Sequence, residues 1–138
     1  MNFDFLVETV IQSVAVTQTE HGQDVLITIL DHQKNTWILT ACSMSEFILN
    51  WMCQSNIIYC VNFFDAESPD IEYIQDTLLY LIRGRDPKEN EEIKEWETKL
   101  VAQRFQKMKE SGHVLLEIEP VAGAYIVLLA EKILLEKV

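Results

Sequence analysis

Asp24-Val25-Leu26-Ile27-Thr28-Ile29-Leu30-Asp31 is the stretch on which the fold turns. It is apolar on both faces and bounded by acids, the pattern of a central strand. Glu20-His21-Gly22-Gln23 before it and His32-Gln33-Lys34-Asn35 after it carry turn chemistry. Residues 8 to 19, with Val10, Val14 and Val16, read as a strand on one side. Thr36 to Cys42, with Trp37, Ile38 and Leu39, reads as a strand on the other. The short connections make the three an antiparallel meander.

Working outward, Ser43-Met44-Ser45-Glu46 has the form of a capping box. It predicts a helix to about Gln54, with Phe47, Ile48, Trp51 and Met52 at helical spacing. Residues 56 to 64 predict a fourth strand. Ser68 as N-cap and Pro69 in the first turn predict a helix to Gly84 with Ile71, Ile74, Leu78, Leu81 and Ile82 on one face. Asp86-Pro87-Lys88-Glu89 repeats the start signal and predicts a helix to Ser111, stopped by Gly112. His113 to Glu119 alternates as a fifth strand with one solvated face, broken by Pro120. Ala124 to Lys137 reads as a terminal helix on its Leu, Ala, Glu and Lys content, although Tyr125-Ile126-Val127 is strand-like. The expectation is one α+β domain over residues 1–138: about five strands, antiparallel or mixed, and about four helices.

The chain has 138 residues, of which about half are apolar, enough for a core of ordinary size. Its formal charge is −11, and the first 82 residues hold eleven acids against the single base Lys34. A pI near 4.6 argues against tracking nucleic-acid phosphates and against an anionic membrane surface. Cys42, Cys53 and Cys60 match no zinc or redox spacing and read as buried thiols in a reducing compartment. The start lacks a basic n-region and long apolar run, so the expectation is a cytoplasmic protein.

Catalytic, cofactor and metal motifs are absent: no Gly-rich phosphate loop, no histidine pair at ligand spacing and no Gly-x-Ser-x-Gly. No cofactor and no catalytic residue is therefore assigned. The densest acid group is Asp65, Glu67, Asp70, Glu72 and Asp76. It suits a solvated ridge, a ridge pairing with basic residues of a partner, or, less well, a cation site or acid/base pair. Tyr73 and Tyr80 are seven residues apart and share one side of their helix, where they would add a Tyr-plus-carboxylate interface if exposed.

The functional expectation is an acidic, non-enzymatic binding protein of inhibitor or immunity type. Its partner would be a basic protein, such as a nuclease toxin, met at Asp65, Glu67, Asp70, Glu72, Tyr73, Asp76 and Tyr80. The likeness to such proteins is one of composition alone. Two alternatives stand beside it. One is a small enzyme or ligand-binding domain with a carboxylate-lined cleft, using His21 or His113. The other is a self-associating structural protein whose segment Tyr125 to Leu135 forms a homodimer face.

Overall fold

The computed structural model describes residues 2–138. A 3₁₀ turn at Asp4–Leu6 leads into β1 (Val10–Thr19), β2 (Gly22–Leu30), β3 (Thr36–Asn50) and β4 (Ile57–Phe64). Two helices follow, α1 (Ile71–Arg83) and α2 (Glu95–Ser111), and then β5 (Val114–Ala122) and β6 (Tyr125–Lys137). The strands are antiparallel and close into one barrel in the order β1-β2-β3-β6-β5-β4. The expected five strands and four helices are thus corrected, among the described residues, to six strands and two helices.

The N-terminal meander forms as its turns predict. Asp31 organises the second turn: Oδ1 accepts the amides of Gln33 and Asn35 at 2.9 Å, and Oδ2 accepts the Trp37 indole N–H at 2.9 Å. Beyond it, the helix expected from Ser43 does not exist. Ser43 has a φ of 50°, its amide donates to Asp24 Oδ1 at 2.9 Å, and the register slips between Met44 and Glu46. The capping-box residues make a bulge, which bends β3 away from β2 while its pairing with β6 continues to Asn50. Past the bulge Phe47 and Leu49 turn inward and Ile48 turns to the helices.

The expected terminal helix is also a strand. β6 pairs with β3 on one edge and β5 on the other, and Val127, Leu128, Leu129 and Ala130 are all fully buried. Pro120 lies inside β5 opposite Ile58, at a register irregularity where its missing N–H costs little. α2 begins eight residues later than Pro87 suggests. Arg85 grips Glu91 through two hydrogen bonds of 2.8 and 2.7 Å, and Glu91 in turn accepts the Lys88 amide. These contacts hold the segment as a loop.

Two apolar layers result. Ile27, Ile29, Leu39, Leu116, Ile118, Ile126 and Leu128 fill the barrel, and Phe3 and Leu6 join that cluster. On the outer face, Phe64, Leu115, Val127 and Leu129 meet Ile74, Leu78 and Leu81 of α1 and Met108 of α2. At roughly 1.5–3 kcal/mol for each buried large side chain, two-sided burial sets the strand character of β6. β1 meets β4 through a short seam: Glu8 N–H to Ile58 O, Ile58 N–H to Thr9 O, and Ile11 N–H to Asn56 O, at 2.7 to 3.0 Å. Among the described residues, no helix is long and apolar enough to cross a membrane, which says nothing about strands.

Candidate partner-binding site

The acid group rises from the loop between β4 and α1. Asp65 is spent on that loop, its Oδ1 accepting the Glu67 amide at 2.9 Å, while Ser68 Oγ accepts the Asp65 amide at 2.9 Å. Ser68 therefore ties the loop, and Asp70 stands at the N-cap position of α1 without a side-chain cap bond. Glu67, Asp70, Glu72 and Asp76 are exposed. Among the described residues, the ion pairs engage Glu46, Glu91, Glu95 and Glu97, and none involves the acids of this ridge.

The nearby arginines are already committed. Arg83 is enclosed: its Nε donates to Glu97 Oε2 at 2.6 Å and its Nη2 to Oε1 at 3.0 Å. The Glu97 carboxylate also accepts the Lys94 amide at 3.0 Å, which caps α2. Arg104 reaches back to Glu46 at 2.7 Å, so α2 is locked to β3.

These contacts set an acid limb in the stability. Arg85 first, then the Lys88 amide, holds Glu91 down to about 2 from an ordinary 4.5, and Arg83 does the same for Glu97. Between those values the unfolded chain takes up protons that the folded one refuses. The contribution is complete above pH 4.5 and is lost as pH falls towards 2. Thermal melts across that window should fall more steeply for the wild type than for Glu91→Gln; parallel curves would contradict the assignment.

Tyr73 and Tyr80 do share one side of α1, but their hydroxyls turn down onto the sheet. Tyr73 donates to Glu117 Oε1 at 2.5 Å, and Tyr125 donates to the other oxygen of the same carboxylate. Asn62 Nδ2 adds a third bond to Glu117 at 2.8 Å and reaches Glu119 at 3.4 Å. Tyr80 packs on Tyr125 with ring centroids 4.9 Å apart and accepts from Asn50 Nδ2 at 2.5 Å. Glu117 is only 3 % exposed. The outer face of β5, expected to be solvated, lies beneath α1 instead.

Burial, then the Glu117 carboxylate, pushes the Tyr73 and Tyr125 hydroxyls well above their ordinary range. Burial and the bond to Glu119 Oε2, 2.7 Å away, raise the Cys60 thiol to about 12. A thiol so held is a poor nucleophile. The cluster is thus a set of O–H, S–H and N–H donors gathered round two carboxylates, suited to presenting acceptors rather than to activating a base.

The sequence assigned none of Glu117, Glu119, Asn62, Cys60 and Trp51 to a binding site, and placed Tyr125 only in a homodimer face. The alternation of residues 114–119 does place Glu117 and Glu119 on one face, and that was the available signal. Cys53 is exposed and Cys42 lies in β3, with its thiol raised by burial first and by Asp24 next. His21 and His32 occupy opposite turns of the meander, as its connectivity requires. Among the described residues, no group of three or more His, Cys, Asp or Glu side chains converges as a metal site. No protein-family model, curated protein or solved structure matches this chain.

Proposed function

We propose that this chain is an acidic, non-enzymatic binding protein that neutralises or regulates a basic protein partner. The observation that carries the reading is the division of charge. Arg83, Arg85 and Arg104 are paired within the fold, while Glu67, Asp70, Glu72 and Asp76 stand exposed and, among the described residues, form no ion pair. Unpaired carboxylates on a loop and the first turns of a helix create a negative field that speeds encounter with a basic surface. Asp65 takes the smaller part, since its oxygens hold the loop.

The test uses the partner captured by the native protein from lysate at low salt. Reversing Glu67, Asp70, Glu72 and Asp76 to lysine should slow association at low salt by at least about tenfold, with a much smaller loss at high salt. Asp65 is left in place so that the loop stays formed. A partner that associates equally fast with the reversed protein, and whose binding ignores salt, sinks the electrostatic reading. The alternative of self-association through Tyr125–Leu135 now has a defined geometry. Its β3 edge is paired throughout and its β5 edge from Ile126 to Ala130, which leaves the β5-side edge of residues 131–135 and side chains such as Leu134 for a second copy.

A further inference from the structure

α1 stops short of one end of the barrel's outer face. The register pairs Cys60 with Glu119 and Asn50 with Tyr125, and Ile118 with Ile126, which sets Tyr125 beside Glu119. Cys60, Glu119, Tyr125 and Asn50 therefore form one outward row across four strands. Beyond that row, towards the barrel end, stand Tyr59, Val121 and Trp51, exposed by 61, 58 and 60 %.

Trp51 has a φ of 60°, a left-handed conformation that a tryptophan rarely adopts. Its ring stands edge-on to Tyr125 with centroids 6.2 Å apart. A side chain held in a disfavoured backbone state, largely in water, points to a use outside the fold. At the inner border lies Glu119, whose Oε2 receives, among the described residues, the Cys60 thiol and the Asn62 amide, both neutral. A hollow of about 380 Å³ opens there, lined by Asn62, Phe64, Asp70, Tyr73 and Glu119. Through Asp70 it runs on into the acidic ridge.

We propose that this strip anchors an arginine-bearing segment of the basic partner. The guanidinium enters the hollow, pairs with Glu119 and Asp70, and stacks on the Tyr73 ring. The apolar part of the segment rests on Trp51, Tyr59 and Val121. Charge complementarity selects the occupant: two carboxylates without a cation line a concavity flanked by aromatic rings. Arginine fits better than lysine, because its planar fork matches a carboxylate and its face stacks on aromatic rings. The inference rests on the proposed function and divides its labour: the ridge steers the partner in, and the strip holds it, so the two act on association and dissociation respectively.

The probes are an arginine nonapeptide and a lysine nonapeptide, titrated into the full ¹⁵N-labelled chain at low salt. The Trp51 indole N–H and the amides of Glu119 and Val121 should shift, and the arginine peptide should bind several-fold more tightly. Glu119→Gln should weaken it about tenfold, the scale of one lost charge-assisted pair. Tyr59→Ser, which touches only the exposed strip, should weaken it less while leaving the melting temperature unchanged. Shifts confined to residues 65–76, with Glu119→Gln binding as wild type, overturn the strip and leave the acidic-binding reading standing. Equal affinity for the two peptides overturns the assignment of arginine. Failure of both peptides to bind overturns the underlying reading.

Discussion

Gly123→Ala should lower the melting temperature by roughly 10 °C, from about 3 kcal/mol of lost stability. Gly123 sits in the tight β5–β6 connection with a φ of 85°, and a Cβ there would meet Asn56 Oδ1 at 2.3 Å and Ser55 O at 2.8 Å. The left-handed backbone alone costs an alanine about 1–2 kcal/mol. The remainder comes from Asn56, which is 3 % exposed and works as a latch. Its Oδ1 accepts the amides of Cys53 and Ala124 at 3.0 Å, its Nδ2 donates to Cys53 O at 2.7 Å, and its carbonyl accepts the Ile11 amide at 2.8 Å. One residue thus ties the β3–β4 loop to the β5–β6 turn and to β1 at the seam that closes the barrel. Gly112→Ala is the control. It has a φ of 67° with no atom within 4 Å of the added Cβ, so it carries the backbone cost without the collision. If Gly123→Ala proves as mild as Gly112→Ala, the latch is not what closes the barrel. Asn56→Ala should be as damaging as Gly123→Ala. The double variant should fall short of the sum, because both changes break the same contacts.

Leu128→Ala and Leu129→Ala should each cost about 3–4 kcal/mol in denaturant unfolding, although their side chains point in opposite directions. Leu128 enters the barrel beside Leu116 and Ile126, and Leu129 lies under α1 and α2 with Leu78 and Met108. Both are fully buried. Neither site can collapse freely, since β6 is fixed by neighbours on both edges, so the cavity persists and the cost stays high. Leu134→Ala, at a largely exposed position of the same strand, should cost less than about 1 kcal/mol. A near-neutral result at either 128 or 129 would mean that β6 is covered on one side only.

These two experiments fall on the parts of the chain that local sequence misreads. Ala124 to Lys137 carries good helix formers, but their advantage is a few tenths of a kcal/mol per residue. Over Ile126 to Ala130, ladder pairing on both edges and burial of both faces outweigh it. Ser43-Met44-Ser45-Glu46 has the chemistry of a cap, and the same groups serve a bulge instead, since Asp24 takes the Ser43 amide and Arg104 takes Glu46. The helix start expected at Asp86 moves to Glu95 for a related reason: Glu91 is drawn to Arg85 and Glu97 to Arg83 at the end of α1. The site was partly legible. Its acids were visible as the densest group, and the seven-residue spacing placed Tyr73 and Tyr80 on one side of α1. Which way that side faces depends on Glu117 and Tyr125, which lie more than forty residues further along the chain.

The amino-acid sequence by itself determined the meander of β1, β2 and β3, the strands β4 and β5, the presence and C-terminal stop of α1 with Ile74, Leu78 and Leu81 on its buried face, and the acid excess before Arg83. Each follows from contacts within a few residues, through turn chemistry, side-chain period and local charge. Only the tertiary structure decided that residues 43–50 and 125–137 are strands, that six strands close into a barrel, and that a buried carboxylate collects two tyrosines. Those outcomes depend on pairing and burial between distant segments, whose energies exceed the local preferences they override.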